Sequence, residues 1–289
     1  MTRIPPKGLT GTAVYCRDLS ILEKTAALLG KTSDSQKYGA LSARVGRAFN
    51  EKFLDRSTGI YVGGNQVANA MPLVLGIAEP NRSAAIVDGI VGNIRSLGNH
   101  TSAGEIGWRY VLHALADAGR SDVVYDMLSR TDSPSYGYQL SRGATSLTEA
   151  WDTDPNESQN HLMLGEAEEW FYTVLAGLSS DADAVGFDRI VIKPEPVGDV
   201  TWCKASYRSV RGLTSSHWEI LDHDLSLNVV IPPNTTATVY VPATGAGSVT
   251  EGGRTAAKSD GLEFLRMEPG KAVFAAASGT YHFISKGFK

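Results

Sequence analysis

Cysteine is nearly absent. Cys16 and Cys203 stand far apart in segments of different character, which excludes a disulfide framework and a cysteine metal site. Long apolar runs are missing too: no stretch reaches the ~18 residues a membrane-spanning helix needs, so no membrane partner is expected. Basic excess is also lacking. Lys and Arg total 27 against 31 Asp and Glu, a net charge of −4, so nucleic acid is not an expected partner. The opening MTRIPPKGLTGTA has no apolar signal region, so the chain as written carries no export address, and its location is left open. No G-x-G-x-x-G follows a strand pattern, and no G-x-S-x-G elbow is present. His100, His113 and His161 lack metal-ligand spacing with cysteine or acid partners. No cofactor and no metal is expected.

What is present is a folded composition, 42% hydrophobic and 20% charged over 289 residues, enough for one large or two medium domains. From Thr12 to Leu178 the apolar period is helical. Tyr15, Leu19, Leu22, Ala26 and Leu29 step along one face before Gly30. A second stripe runs through Tyr38, Leu41, Val45, Ala48 and Phe49. Asn65 to Ile77 continues the pattern around Pro72, which kinks one helix or opens another. Arg82–Leu97, Gly104–Ala118 and Ser121–Arg130 follow, and His161–Leu178 has the broadest apolar face. Seven or eight helices joined by short turns suit a bundle, solenoid or toroid of helical hairpins.

After Asp181 the period changes to two. About eight short runs rich in β-branched and aromatic residues predict an antiparallel sandwich. The expected organisation is α+β multidomain: a helical domain over 1–184 and a β-sandwich over 185–289.

Within the helical domain, Pro134–Gly165 gathers two tyrosines, a tryptophan, a histidine, two glutamates and two aspartates around Gly137 and Gly143. Aromatic faces beside acids suit a pocket for a neutral, hydroxyl-rich ligand. The ordinary alternative is a helix connection whose Trp151 and Tyr138 are merely packed.

The order of elements and the motifs FNEKFLD, STGIY, GNQVANAMPL, SAGEIG, PSYGYQL, GATSLTEAWD and SQNHLMLGEAEEWF resemble the α-L-rhamnosidases of glycoside hydrolase family 78. The resemblance implies an (α/α)6 toroid followed by an antiparallel β domain, acting without a cofactor. Its reaction is inverting removal of terminal α-linked L-rhamnose from glycosides or polysaccharides. It makes Glu149 the general base and assigns His161, Tyr136, Tyr138 and Trp151 to the sugar pocket. Glu105 stands where many members carry an apolar residue, and is expected to bind a hydroxyl or another polar group of the substrate. Each has a plainer alternative: a helix-cap or salt-bridge role for Glu149, a first-turn dipole partner for Glu105, a backbone-satisfied histidine for His161, and core packing for the aromatics.

The family's general acid lies in an earlier, GDW-bearing stretch that this chain does not contain, and seven or eight helices fall short of twelve. The chain is therefore expected to resemble the C-terminal part of a catalytic domain, to hydrolyse poorly alone, and to self-associate through exposed helix faces. Two rival readings stay open: a lyase acting on rhamnosyl–glucuronate bonds, and a non-catalytic carbohydrate-binding remnant.

Overall fold

The computed structural model describes residues 4–288. The chain divides into two compact units, Met1–Ala167 and Glu168–Lys289.

The first unit is helical. Helices α1 (Lys7–Leu28) and α2 (Thr32–Phe53) form a hairpin across Gly30, whose φ of 69° favours a residue without a Cβ. α1 buries Leu9, Ala13, Cys16, Leu19 and Ala26. Tyr15, Leu22 and Leu29 of the expected stripe are instead exposed, because burial follows the neighbour available and not the period alone. α2 buries only Phe49 and Asn50. Phe49 packs on the Tyr61 ring at 5.6 Å, and the Tyr61 hydroxyl donates to Asn50 Oδ1 at 2.5 Å. Burial, followed by the charge of Glu79, pushes that hydroxyl up to about 12.

Tyr61 belongs to a small hairpin, β1 (Leu54–Asp55) with β2 (Ile60–Tyr61). Helix α3 (Gln66–Val74) follows, capped by Asn65, whose Oδ1 accepts from Ala68 N. Pro72 neither kinks a long helix nor opens a new one. It lies in the last turn of α3, and its carbonyl accepts the N–H groups of Ile77 and Ala78. α4 (Ser83–Ser96) buries Ile86, Ile90 and Ile94 on one stripe. α5 (Glu105–Asp117), α6 (Ser121–Leu128) and the six-residue α7 (Tyr136–Ser141) complete the unit. The helices close no barrel among the described residues.

The expected helix His161–Leu178 is corrected. The segment is a 3-10 stretch at Leu162–Glu166, one α turn at Ala167–Trp170 and a π turn at Phe171–Leu175. Leu178–Ser180 is already a strand. The apolar residues recur at helical spacing, but Gly177 ends the helical path. It adopts φ 71°, and a Cβ there would stand 2.1 Å from the backbone of Lys193 and Pro194.

The second unit packs two sheets. One has six strands, in the order Arg254–Thr255, Val249–Glu251, Gly279–Ser285, Asp224–Ile231, Gly212–Leu221 and Trp202–Ser209. The other has five, in the order Leu262–Glu268, Lys271–Ala276, Thr236–Pro242, Arg189–Ile192 and Leu178–Ser180. Alternation decides which side chains enter the core: Leu225, Leu227, Val229 and Ile231 point in, with polar or half-exposed residues between. Phe274 of one sheet meets Phe283 of the other, ring centroids 5.8 Å apart. Pairing is antiparallel except between Arg189–Ile192 and Thr236–Pro242, which run parallel.

Candidate functional site

Helix α5 starts where it does because a buried glutamine holds the chain ahead of it. Gln66 Oε1 accepts from Ser102 N (2.9 Å) and Thr101 Oγ1 (3.3 Å). Its Nε2 donates to Asn93 Oδ1 (3.0 Å) and to the His100 carbonyl (3.2 Å). The segment Thr101–Gly104 is thereby fixed, and Glu105 becomes the first residue of the helix. Gly107 then lets α3 approach closely, since a Cβ there would lie 2.4 Å from Val67 Cγ2.

Residues 143–161 form neither helix nor strand, yet the segment is ordered by its own hydrogen bonds. Glu149 N donates to the Ser158 carbonyl (2.9 Å), and Ser158 N returns a bond to Glu149 Oε2 (3.1 Å). His161 N donates to the Leu147 carbonyl at 2.8 Å. The two ends of the loop therefore run side by side, which brings the side chains of Glu149 and His161 together.

Trp151 ties this loop to the start of α5: its Nε1 donates to the Ala103 carbonyl at 2.8 Å. Its ring meets Tyr136 and Trp108 nearly edge-on, with centroids 5.1 and 5.7 Å away. Trp108 Nε1 donates to the Tyr136 hydroxyl (2.8 Å), which itself donates to the Leu164 carbonyl. Burial pushes that hydroxyl well above the usual tyrosine range. Trp151 is only 6% exposed, so these three rings make a wall on which the loop rests.

Against that wall stand three side chains from two distant segments. His161 Nε2 lies 2.6 Å from Glu105 Oε2, and its Nδ1 lies 3.9 Å from Glu149 Oε2. Each of the three contributes an atom to a cluster no more than 4.8 Å across. All are partly open to solvent, the two glutamate side chains 28% and 40% exposed. His161 is the ion-pair partner of both carboxylates, and no lysine or arginine within the described residues pairs with either. The surroundings are acidic. Partial desolvation, followed by the charges of Glu149, Asp154, Asp152 and Glu105, holds the Glu157 carboxyl above its usual range.

Of the expected site residues, Glu105, Glu149 and His161 meet directly, and Tyr136 and Trp151 stand in the supporting wall. Tyr138 lies on α7 with its N–H on Ser135 Oγ (3.0 Å), and no hydrogen bond links its ring to the three. A hollow of about 710 Å³ opens beside Glu105, bounded by α1, α3 and α5. Its walls include Tyr15, Val67, Met71 and Tyr110 and not the expected tryptophan and histidine. Sequence reasoning missed Gln66 and Trp108. The readable signal for Trp108 was its place one helical turn after Glu105.

Comparison with known proteins places these features in a family. Residues 3–175 match the model described as the bacterial alpha-L-rhamnosidase 6 hairpin glycosidase domain. Residues 177–256 match the bacterial alpha-L-rhamnosidase C-terminal domain. An alpha-L-rhamnosidase of Streptomyces avermitilis is 31% identical over 96% of this chain, and one of Formosa agariphila 28% identical over 96%. The chain spans only 27% and 31% of the length of these relatives. The crystal structure of the Streptomyces avermitilis enzyme complexed with L-rhamnose superposes with a TM-score of 0.89, covering 98% of this chain and 27% of that one. The structure of the alpha-L-rhamnosidase from Dictyoglumus thermophilum gives 0.88 at 28% identity, covering 98% and 33%.

Proposed function

The chain belongs to the bacterial alpha-L-rhamnosidase 6 hairpin glycosidase family, and from that premise we propose that it carries the base side of an inverting site for terminal α-L-rhamnosyl groups. The observation that carries the reading is the convergence of Glu149 and His161 on one spot, each placed by a backbone hydrogen bond across the same loop.

In this reading Glu149 draws a proton from the water that attacks the anomeric carbon. Ser158 N–H holds Oε2 (3.1 Å), so the carboxylate presents a defined edge to that water. His161 contacts a sugar hydroxyl, and Tyr136, Tyr138 and Trp151 shape the pocket around the ring.

Glu105 is not the acid partner. Inversion needs carboxyl groups roughly 6.5–9.5 Å apart to admit a water, and the Glu105 and Glu149 oxygens lie within 4.8 Å. Glu105 instead orients His161 or accepts a sugar hydroxyl, and the general acid is another carboxyl group. Glu105 and Glu149 as a pair would therefore turn over slowly even where sugar is bound.

The test is titration with L-rhamnose together with hydrolysis of an aryl α-L-rhamnoside. Saturable binding, weakened by His161→Gln, with hydrolysis near background supports the proposal. Efficient hydrolysis that survives Glu149→Gln refutes the base assignment, and release of an unsaturated uronate from a rhamnosyl–glucuronate polymer favours the lyase.

A further inference from the structure

The second unit holds a hollow that the proposed reaction does not use, and we propose that it is a binding site for a neutral pyranose sugar. The hollow, about 480 Å³, is lined from the edge strands of both sheets, Leu178–Ser180 and Trp202–Ser209. Its volume falls in the range of small-molecule sites, roughly 300–1,000 Å³. Tyr172, Leu178, Phe187 and Tyr207 make apolar walls, with Glu168 and Ser179 beside them.

Two departures from regular backbone place those rings. The π turn Phe171–Leu175 carries Tyr172 and closes through Ala176 N on the Phe171 carbonyl (2.9 Å). Such turns recur at functional sites. This one is pinned to a sheet: Trp218 Nε1 donates to the Leu175 carbonyl (2.7 Å) and Ser216 Oγ to the Ala176 carbonyl (2.6 Å). Phe187 stands at φ 62°, in the left-handed region that a bulky residue rarely adopts. Asp188 Oδ1 accepts from Val185 N (2.9 Å) and closes that turn. The Phe187 ring thereby lies 4.8 Å from the Tyr207 ring, their planes 34° apart. Tyr207 remains 46% exposed, so the strain maintains a half-open aromatic pair and not a sealed core contact, as it does at ligand clamps.

The polar groups name the ligand class. Among the described residues, the side-chain oxygens of Glu168, Tyr172, Ser179 and Tyr207 make no hydrogen bond or ion pair with protein. No lysine or arginine lines the hollow, so a phosphate, sulfate or carboxylate ligand would find no counter-charge. Aromatic faces cover the C–H face of a pyranose, while three hydroxyls and a carboxylate exchange hydrogen bonds with its hydroxyls. A quaternary ammonium group also suits rings beside a carboxylate, but it would leave the three hydroxyls unmatched.

The sugar site does not rest on the hydrolase reading, since none of its residues belongs to the cluster of Glu105, Glu149 and His161. Ring-carbon NMR of the full chain with isotope-labelled tyrosine, titrated with L-rhamnose, D-glucose and D-galactose, tests it. Saturable movement of the Tyr172 and Tyr207 signals with at least one of the three sugars is expected. Read at Tyr172, the affinity should fall at least about fivefold in Tyr207→Ser. It should also weaken in Glu168→Gln, an exposed position that serves if Tyr207→Ser fails to fold, and stay unchanged in Glu149→Gln. No movement with any of the three sugars overturns the proposal, as does movement that neither variant weakens or that Glu149→Gln abolishes. Movement with tetramethylammonium and not with sugar also overturns it, in favour of a cation-binding aromatic site.

Discussion

Replacing Trp151 by phenylalanine separates two roles an aromatic residue can have at this site. As a wall, Trp151 matters through its indole N–H, which donates to the Ala103 carbonyl at 2.8 Å, and through its volume against Trp108 and Tyr136. Ala103 is fully buried, so the lost donor leaves a carbonyl unpaired at about 1–3 kcal/mol. The smaller ring leaves about 40 Å³ unfilled, which at ~24 cal/mol per Å³ adds about 1 kcal/mol. The total, about 2–4 kcal/mol, corresponds to a melting shift of roughly 6–12 °C for a unit of this size. As a sugar platform, by contrast, phenylalanine would keep most of the stacking face and cost little stability. Thermal melting followed by near-ultraviolet circular dichroism, paired with L-rhamnose titration, distinguishes them. A melting temperature within about 2 °C of the parent, with sugar affinity largely kept, refutes the wall.

Gly107→Ala drives a methyl to 2.4 Å from Val67 Cγ2, so denaturant unfolding is expected to show a loss of about 1–3 kcal/mol as α3 and α5 part. Gly177→Ala combines φ 71° with a 2.1 Å clash against backbone and is expected to unfold or fail to express the second unit, checked by soluble yield and circular dichroism. Asp132 is held down to about 2, first by its hydrogen bond to Arg130 and then with help from His100. A depressed folded-state pKa means its contribution is present above the ordinary value near 3.8 and fades as pH falls towards 2. Carboxyl NMR titration should find this midpoint near 2 and should find it raised in Arg130→Ala.

Period carried the architecture. The buried Ile86, Ile90 and Ile94 of α4 and the alternation of Leu225 to Ile231 were legible because one face of each element is buried throughout. It misled at α1, where Tyr15 and Leu22 share the spacing of the stripe but face solvent, and at 161–178, where helical spacing persists through three different turn geometries. No local pattern announces that Glu105 meets His161. That contact depends on Gln66 holding Thr101 and Ser102, and on a loop without regular structure whose two ends pair through Glu149 and Ser158. Residue types marked the candidates, but the motif resemblance assigned Glu149 its role, and only the fold shows that its oxygens lie too close to those of Glu105 for that pair to invert a glycoside.

The account stands or falls on whether sugar arrives at His161. Nitrogen-detected NMR of the histidine rings during L-rhamnose addition reads this directly, with His100, fixed between the Leu97 carbonyl and Asp132, as the internal reference. Saturable movement of the His161 ring signals with His100 unmoved is the expected result, and unchanged His161 signals at saturating sugar would contradict it.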